Sequence, residues 1–162
     1  MIRGRVWRLP ADVDTDQLAP GGAMKFGLQA IARECLRGVR PDFASGVTRG
    51  DVIVAGANFG LGSSREQAAS VLVHLGVAAV VAPSFNGLFF RNAFNVGLLL
   101  LTCPDAQTIG DGETIGFDAR ASRIVRQDGH VLRCEPIPTF LLDMVEAGGL
   151  LPQLKKRLED LR

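Results

Sequence analysis

Two hydroxyls and an arginine stand together in the run Gly56-Ala57-Asn58-Phe59-Gly60-Leu61-Gly62-Ser63-Ser64-Arg65-Glu66-Gln67-Ala68, between a strand-like segment, Asp51 to Ala55, and a helical pattern. Glycines let backbone come close to a ligand. The free N–H groups and dipole of a helix start favour an anion there, and Arg65 adds a full positive charge. A small carboxylate-bearing molecule suits that chemistry. Ser63 and Glu66 also have the spacing of a capping box, in which the serine closes the helix start and the glutamate reaches back. That structural reading is sufficient for both residues, but a cap needs neither the glycine spacing nor Arg65.

Other chemistries fit the run less well. It lacks the lysine of a phosphate-binding Walker loop, and no third glycine completes a dinucleotide fingerprint. The Gly-x-Ser-x-Gly elbow is absent, and the two histidines, His74 and His130, fall at positions expected to face solvent, which argues against a Ser-His-Asp triad. A serine acting here would have its alkoxide stabilised by the helix N-terminus and the arginine. Asp12, Asp14 and Asp16 fall within five residues, and for Asp12 and Asp14 a turn held by Asx bonds is preferred to a metal loop. Arg91 lies in an otherwise apolar helical stretch, where a snorkelling or ion-paired side chain is the first reading and anion binding the second. Cys35, Cys103 and Cys134 are odd in number, far apart and without a Cys-x-x-Cys pair, against a disulfide frame and against a metal or iron–sulfur site built by this chain alone.

The elements that must position these residues follow from apolar spacing. A strand is expected over 2–7, a loop over 11–17, and a helix from Leu28 stopped by Gly38 and Pro41. Strands near 51–56, 77–82 and 98–101 alternate with helices over 64–75 and 85–96, which indicates parallel pairing with crossover helices. Strands near 113–117, 123–126 and 130–134, with a hairpin at Asp128-Gly129, should be antiparallel. A helix through Phe140 and Val145 ends at Gly148-Gly149, and Pro152 starts a last short one. The fold class is α/β in one domain, 1–162, with a parallel layer, an antiparallel layer and flanking helices.

With 162 residues, 47% hydrophobic and 22% charged, and a net charge of +1, the chain carries no field suited to nucleic acid or a membrane surface. No apolar run reaches the ~18 residues of a membrane span, and no signal peptide is expected, so a reducing cytoplasm is the expected location. Lys155-Lys156-Arg157, balanced by Glu159 and Asp160, reads as a solvated helix face.

Taken together, Asp12 to Pro20, Gly60 to Glu66, Ser84-Phe85 with Phe90 to Leu98, and the ending Pro136 to Leu150 resemble the small subunits of the aconitase-type hydro-lyases, the 3-isopropylmalate dehydratase group in particular. The resemblance runs through nearly the whole chain in order. It implies a swivelling β/β/α three-layer domain with a parallel central sheet, closing over a large subunit that carries a [4Fe–4S] cluster. The reaction implied is dehydration and rehydration of a small hydroxy-dicarboxylate, moving a hydroxyl between neighbouring carbons. By match, Ser63 is the base that removes the carbon-bound proton, Arg65 holds a substrate carboxylate, and Asp16 supports the network. Ser64, Gly60, Gly62, Arg91, Met24 and Lys25 complete the implied substrate-binding set, and no metal ligand is assigned to this chain.

A proton beside a carboxylate is weakly acidic, so its removal needs cationic and Lewis-acid stabilisation. Three positions depart from the family pattern: Leu61 where a cysteine is usual, Gln67 where a histidine is usual, and Gly21 to Phe26 where the isopropylmalate enzymes tend to carry Tyr-Leu. That last loop touches the substrate's variable group. It leaves 3-isopropylmalate, citramalate, dimethylmalate and homocitrate open. A non-catalytic anion- or nucleotide-binding module is the reading from a different class.

Overall fold

Strand β1 (Ile2–Arg8) divides its length between two kinds of neighbour. Its first half, Ile2 to Arg5, pairs antiparallel with β5 (Thr114–Asp118), and its second half, Val6 to Arg8, pairs parallel with β2 (Val52–Val54). The parallel side continues through β3 (Ala79–Ala82) to β4 (Leu99–Thr102), and the antiparallel side through β6 (Arg123–Val125) to β7 (Val131–Arg133). The result is one seven-stranded order, β4-β3-β2-β1-β5-β6-β7. These relations come from a computed structural model that describes residues 1–162.

Strands β2 and β3 read Val-Ile-Val and Ala-Val-Val-Ala, and every one of these residues is buried, as in a sheet covered on both faces. One cover is helical: α3 (Leu28–Glu34), α5 (Glu66–His74) and α6 (Gly87–Asn95) pack in that order, as right-handed crossovers between successive parallel neighbours require. The other cover is the sheet itself. Glu135, just past β7, donates its N–H to the Thr102 carbonyl at the end of β4, at 2.8 Å. Those strands are the two extremes of the order, so the sheet must curl until its antiparallel part lies over its parallel part. One cluster of 42 buried residues accordingly joins Val80 and Leu100 to Phe117 and Ile124. The expected parallel and antiparallel layers with flanking helices are what is found.

The same closure brings Cys103 and Cys134 together, which their separation in sequence concealed. Both are reduced and buried, as is Cys35. Burial pushes the Cys35 thiol up to about 12. A hydrogen bond between Cys103 and Cys134 lowers the first and raises the second.

Three element boundaries differ from expectation. The 11–17 segment is not all loop, because α1 (Thr15–Leu18) makes one helical turn there, followed by α2 (Gly21–Met24). Helix α3 stops before Gly38, since Leu36 turns to φ +59°. After α4 (Phe43–Gly46) and, late in the chain, α7 (Thr139–Glu146), the final helix α8 runs Leu150–Asp160. It is the longest in the chain, and Pro152 sits at its third position rather than its first. That place is tolerated because first-turn N–H groups have no intrahelical acceptor to lose. No helix is long and apolar enough to cross a membrane.

Candidate functional site

Parallel strands gather ligands at their carboxyl ends, where the loops leave the sheet. Here β1, β2 and β3 each release a loop at that end, and the three loops bind one another. Gly60 donates to the Val13 carbonyl at 2.7 Å, Thr15 to Leu61 at 2.9 Å, Asp12 to Ala57 at 2.9 Å, and Phe59 to Ser84 at 3.2 Å. The Ser84 hydroxyl accepts from the Asn58 N–H at 2.8 Å, and the Asn58 amide reaches Asp12 Oδ1 at 3.2 Å. Asp12 and Asn58 both adopt positive φ, 60° and 62°, which Asp and Asn tolerate better than other side chains. Three of the four segments that carry the resemblance in sequence thus meet in one physical unit.

Gly60 belongs to that unit for packing. Its N–H is spent on Val13, its φ is +85°, and an added Cβ would fall inside the Phe89 ring. The residue is buried, and it sets the path of the loop. Gly60→Ala should lower stability by ~1–3 kcal/mol through overpacking and a strained φ, read as a shift in the denaturant midpoint without change of slope. Gly62 is exposed, with φ +109°.

The capping box expected at Ser63 is not there. Helix α5 begins at Glu66 with Arg65 as N-cap, and no side chain caps it. The true capping box is on the adjacent loop: Asp14 Oδ1 accepts from the Gln17 N–H at 2.8 Å while Gln17 Oε1 accepts from the Asp14 N–H at 2.9 Å. Asp14 thus takes the local bond expected of it. The consequence for chemistry is direct. Ser63 and Ser64 are exposed, three and two residues ahead of a helix N-terminus whose N–H groups remain uncapped. Their structural duty is gone.

Arg65 is anchored across 49 residues of sequence. Its Nη1 donates to Asp16 Oδ1 at 3.0 Å and to the Ala19 carbonyl at 3.0 Å. Its side chain is about one-quarter exposed, against 71% for Asp16. Only one guanidinium nitrogen is committed, so Nε and Nη2 keep donors for a carboxylate. Asp16 also accepts from the Gly21 N–H at 3.3 Å. The Arg65 bond first, and the Gly21 N–H second, hold its carboxyl below the usual carboxylate range.

A depressed acid contributes above its unfolded pKa and loses that contribution as pH falls through its folded pKa. The anchoring charge on Asp16 therefore persists into mild acid and fails only below the ordinary carboxylate range. Asp16→Ala leaves Arg65 the Ala19 carbonyl alone. We expect about a tenfold weaker hold on a carboxylate bound at Arg65, measured by titration calorimetry, consistent with the ~1.5–3 kcal/mol of a hydrogen bond to a charged group, and an unchanged circular dichroism spectrum.

The remaining expected residues are carried by the end of α2 and by α6. Met24 is half-buried against the core at the end of α2. Lys25 is exposed with its Nζ 5.1 Å from the centroid of Phe26, a ring that is itself 69% exposed. Arg91 is exposed on the face of α6 that also carries Leu88 and Asn95. It has no acidic partner, so of the snorkelling and ion-paired readings the ion pair is not found. His74 is exposed and His130 pairs with Asp128 at 2.9 Å on the hairpin, and neither bonds Ser63 or Ser64. Sequence reasoning missed the Ala19 carbonyl, and only its place just after the Asp12 to Gln17 segment hinted at it.

No group of three His, Cys, Asp or Glu side chains could hold a metal ion. The buried thiols, two of them hydrogen-bonded to each other, do not fit a cluster's ligand set.

Comparison with known proteins adds the following. The family described as Aconitase C-terminal domain matches residues 46–106. The methanogen homoaconitase small subunit of Methanothermobacter thermautotrophicus is 43% identical over 162 residues, covering 98% of this chain and 94% of its own length. A 3-isopropylmalate dehydratase small subunit of Methanosarcina mazei is 40% identical over 161 residues, covering 98% and 99%. The crystal structure of a 3-isopropylmalate dehydratase from Methanocaldococcus jannaschii matches with a TM-score of 0.92 at 38% identity, covering 99% of this chain and 96% of that one.

Proposed function

The chain belongs to the family of aconitase-type hydro-lyase small subunits that includes those of 3-isopropylmalate dehydratase and homoaconitase, and from that premise we propose that it supplies the base and the anion clamp of such an enzyme. The substrate proposed is a hydroxy-dicarboxylate, 3-isopropylmalate first among them. The enzyme is active only with its large subunit, in the cytoplasm, and this chain acts as one swivelling domain.

One observation carries the reading: two exposed hydroxyls, free of any capping role, precede an uncapped helix N-terminus beside an arginine that Asp16 and Ala19 hold still. In the proposed reaction Ser63 takes the proton from the carbon next to a carboxylate. The positive helix end and the Arg65 guanidinium stabilise its alkoxide form. Arg65 grips a substrate carboxylate through the donors that Asp16 and Ala19 leave free, and Ser64 gives a further hydrogen bond. The Lewis acid that assists loss of the hydroxyl is proposed to be a [4Fe–4S] cluster of the large subunit.

Because these groups lie on open surface, the site is complete only when the large subunit covers it, which also excludes the water that would weaken every charge interaction. The test is to mix the chain with a purified iron–sulfur large subunit and assay 3-isopropylmalate, citramalate, dimethylmalate and homocitrate. Turnover of at least one, dependent on both proteins, is expected. Turnover by the large subunit alone, or none from the mixture, overturns the proposal.

A further inference from the structure

Two nucleophilic side chains that the proposed chemistry does not use face each other across the seam of the sheet. Cys103 extends β4 by one residue, because its N–H bonds the Ala82 carbonyl at the end of β3 at 2.9 Å. Cys134 extends β7 in the same way, through its N–H to the Ser122 carbonyl at 2.8 Å. Strand β4 runs parallel to β1, and β7, three antiparallel steps from β1, runs opposite to both. Where the sheet closes, the two extensions are therefore antiparallel.

The bond from the Glu135 N–H to the Thr102 carbonyl sets their register. With 135 opposite 102, residue 134 stands opposite 103, in a pair that exchanges no backbone bonds of its own. The cysteine N–H groups agree, since both point away from the seam, to Ala82 and to Ser122. Facing residues of such a pair have Cα atoms ~4.5 Å apart. A disulfide accepts separations of about 4.4–6.8 Å. The two thiols accordingly lie in hydrogen-bond contact.

Their surroundings suit a reversible oxidation. One backbone bond closes the seam, so it opens more easily than the full ladders on either side. Cys134 keeps 8% of its surface exposed there, and Cys103 none. A hydrogen bond from Cys134, and after it the Asp105 N–H, lower the Cys103 thiol against the opposing effect of burial. The thiolate is the reactive form. Hydrogen peroxide is hardly larger than water, and so is an oxidant that a narrow seam admits.

We propose that Cys103 and Cys134 form a reversible disulfide under hydrogen peroxide, a redox-sensitive latch across the closure of the sheet. The Cys103 thiolate attacks one peroxide oxygen, the O–O bond breaks, and hydroxide leaves and takes up the proton that the thiol gave. The Cys134 sulfur then attacks the sulfenic sulfur, the S–O bond breaks, and the hydroxyl leaves as water with the Cys134 proton. Two thiols lose two electrons, and one peroxide becomes two waters. Contact makes the second step intramolecular, so it outruns further oxidation of the sulfenic acid. The new bond ties the antiparallel layer to the parallel one through the segment 103–134. A Cα separation near the short limit stores strain, which keeps the bond reducible.

The test exposes the full chain to a small excess of hydrogen peroxide, unfolds it with an alkylating agent present, and maps its tryptic peptides without reduction. Trypsin leaves Cys35, Cys103 and Cys134 on separate peptides, 34–37, 92–120 and 134–155. Peptides 92–120 and 134–155 should be joined, dithiothreitol should part them, and Cys35 should remain alkylated. Tm should rise by ~5–10 °C on oxidation and return on reduction, as closure of a loop of this length implies. Cys134→Ala, shown folded by circular dichroism, should lose both the link and the rise. The peptide map of the unaltered chain decides the matter even if that variant does not fold. Three alkylated cysteines after the peroxide has consumed added free cysteine, sulfinic acid at either residue without the link, or a bridge between two chains overturns the proposal.

Discussion

Ser63→Ala should reduce kcat of the assembled enzyme by roughly a hundred- to ten-thousandfold, the range for removing a positioned proton acceptor. The fold should not notice the change. Ser63 is exposed, caps no helix, and lies in a loop whose path is set by Gly60, Asp12 and Asn58. KM should move by no more than a few-fold, because the carboxylate clamp proposed at Arg65 is still held by Asp16 and Ala19. Single-turnover exchange of the carbon-bound proton with deuterated solvent reads the step directly, and should vanish with turnover. Near-normal turnover in the variant would reject Ser63 as the base. Ser64→Ala is the internal control, with a smaller loss expected because a neutral hydrogen bond contributes only ~0.5–1.5 kcal/mol.

Arg65→Lys should be nearly as damaging, although it preserves the charge. The guanidinium does two tasks at once: one nitrogen bonds Asp16 and the Ala19 carbonyl while the others stay free in a fixed plane. An ammonium is a single point with no fork. It can stay with Asp16 or turn to a substrate carboxylate, but it cannot present two parallel donors while anchored. We expect kcat/KM to fall roughly ten- to a hundredfold, from the ~1.5–3 kcal/mol that a charge-assisted bond contributes. Most of the loss should fall on KM. A substrate titration of the reconstituted enzyme measures it, and an unchanged KM would show that Arg65 only fastens loops together.

What could be read in the sequence depended on the range of the interaction. The continuous apolar runs of β2 and β3, and the helices between parallel strands, were legible because burial on both faces writes itself into neighbouring residues. The capping box went to the wrong place for a related reason. Ser63 to Glu66 and Asp14 to Gln17 have the same spacing, and spacing does not reveal which N–H groups a loop leaves free. Gly60 could not be told from a ligand-contacting glycine, because its reason is the Phe89 ring on another helix. The Asp16 to Arg65 anchor and the Cys103 to Cys134 contact join distant segments that only the folded topology brings together. The resemblance named the residues, and the loops at the carboxyl ends of β1 to β3 explain why those residues meet.

The bond from Glu135 to Thr102 has a bearing on life before assembly. An open sheet offers unpaired rungs to any passing strand, and a subunit awaiting its counterpart is at risk of stacking into aggregates by that route. Here the two terminal strands, β4 and β7, have only four and three residues, and their ends are stitched to each other. The polypeptide can therefore linger unaccompanied without recruiting its own kind rung by rung.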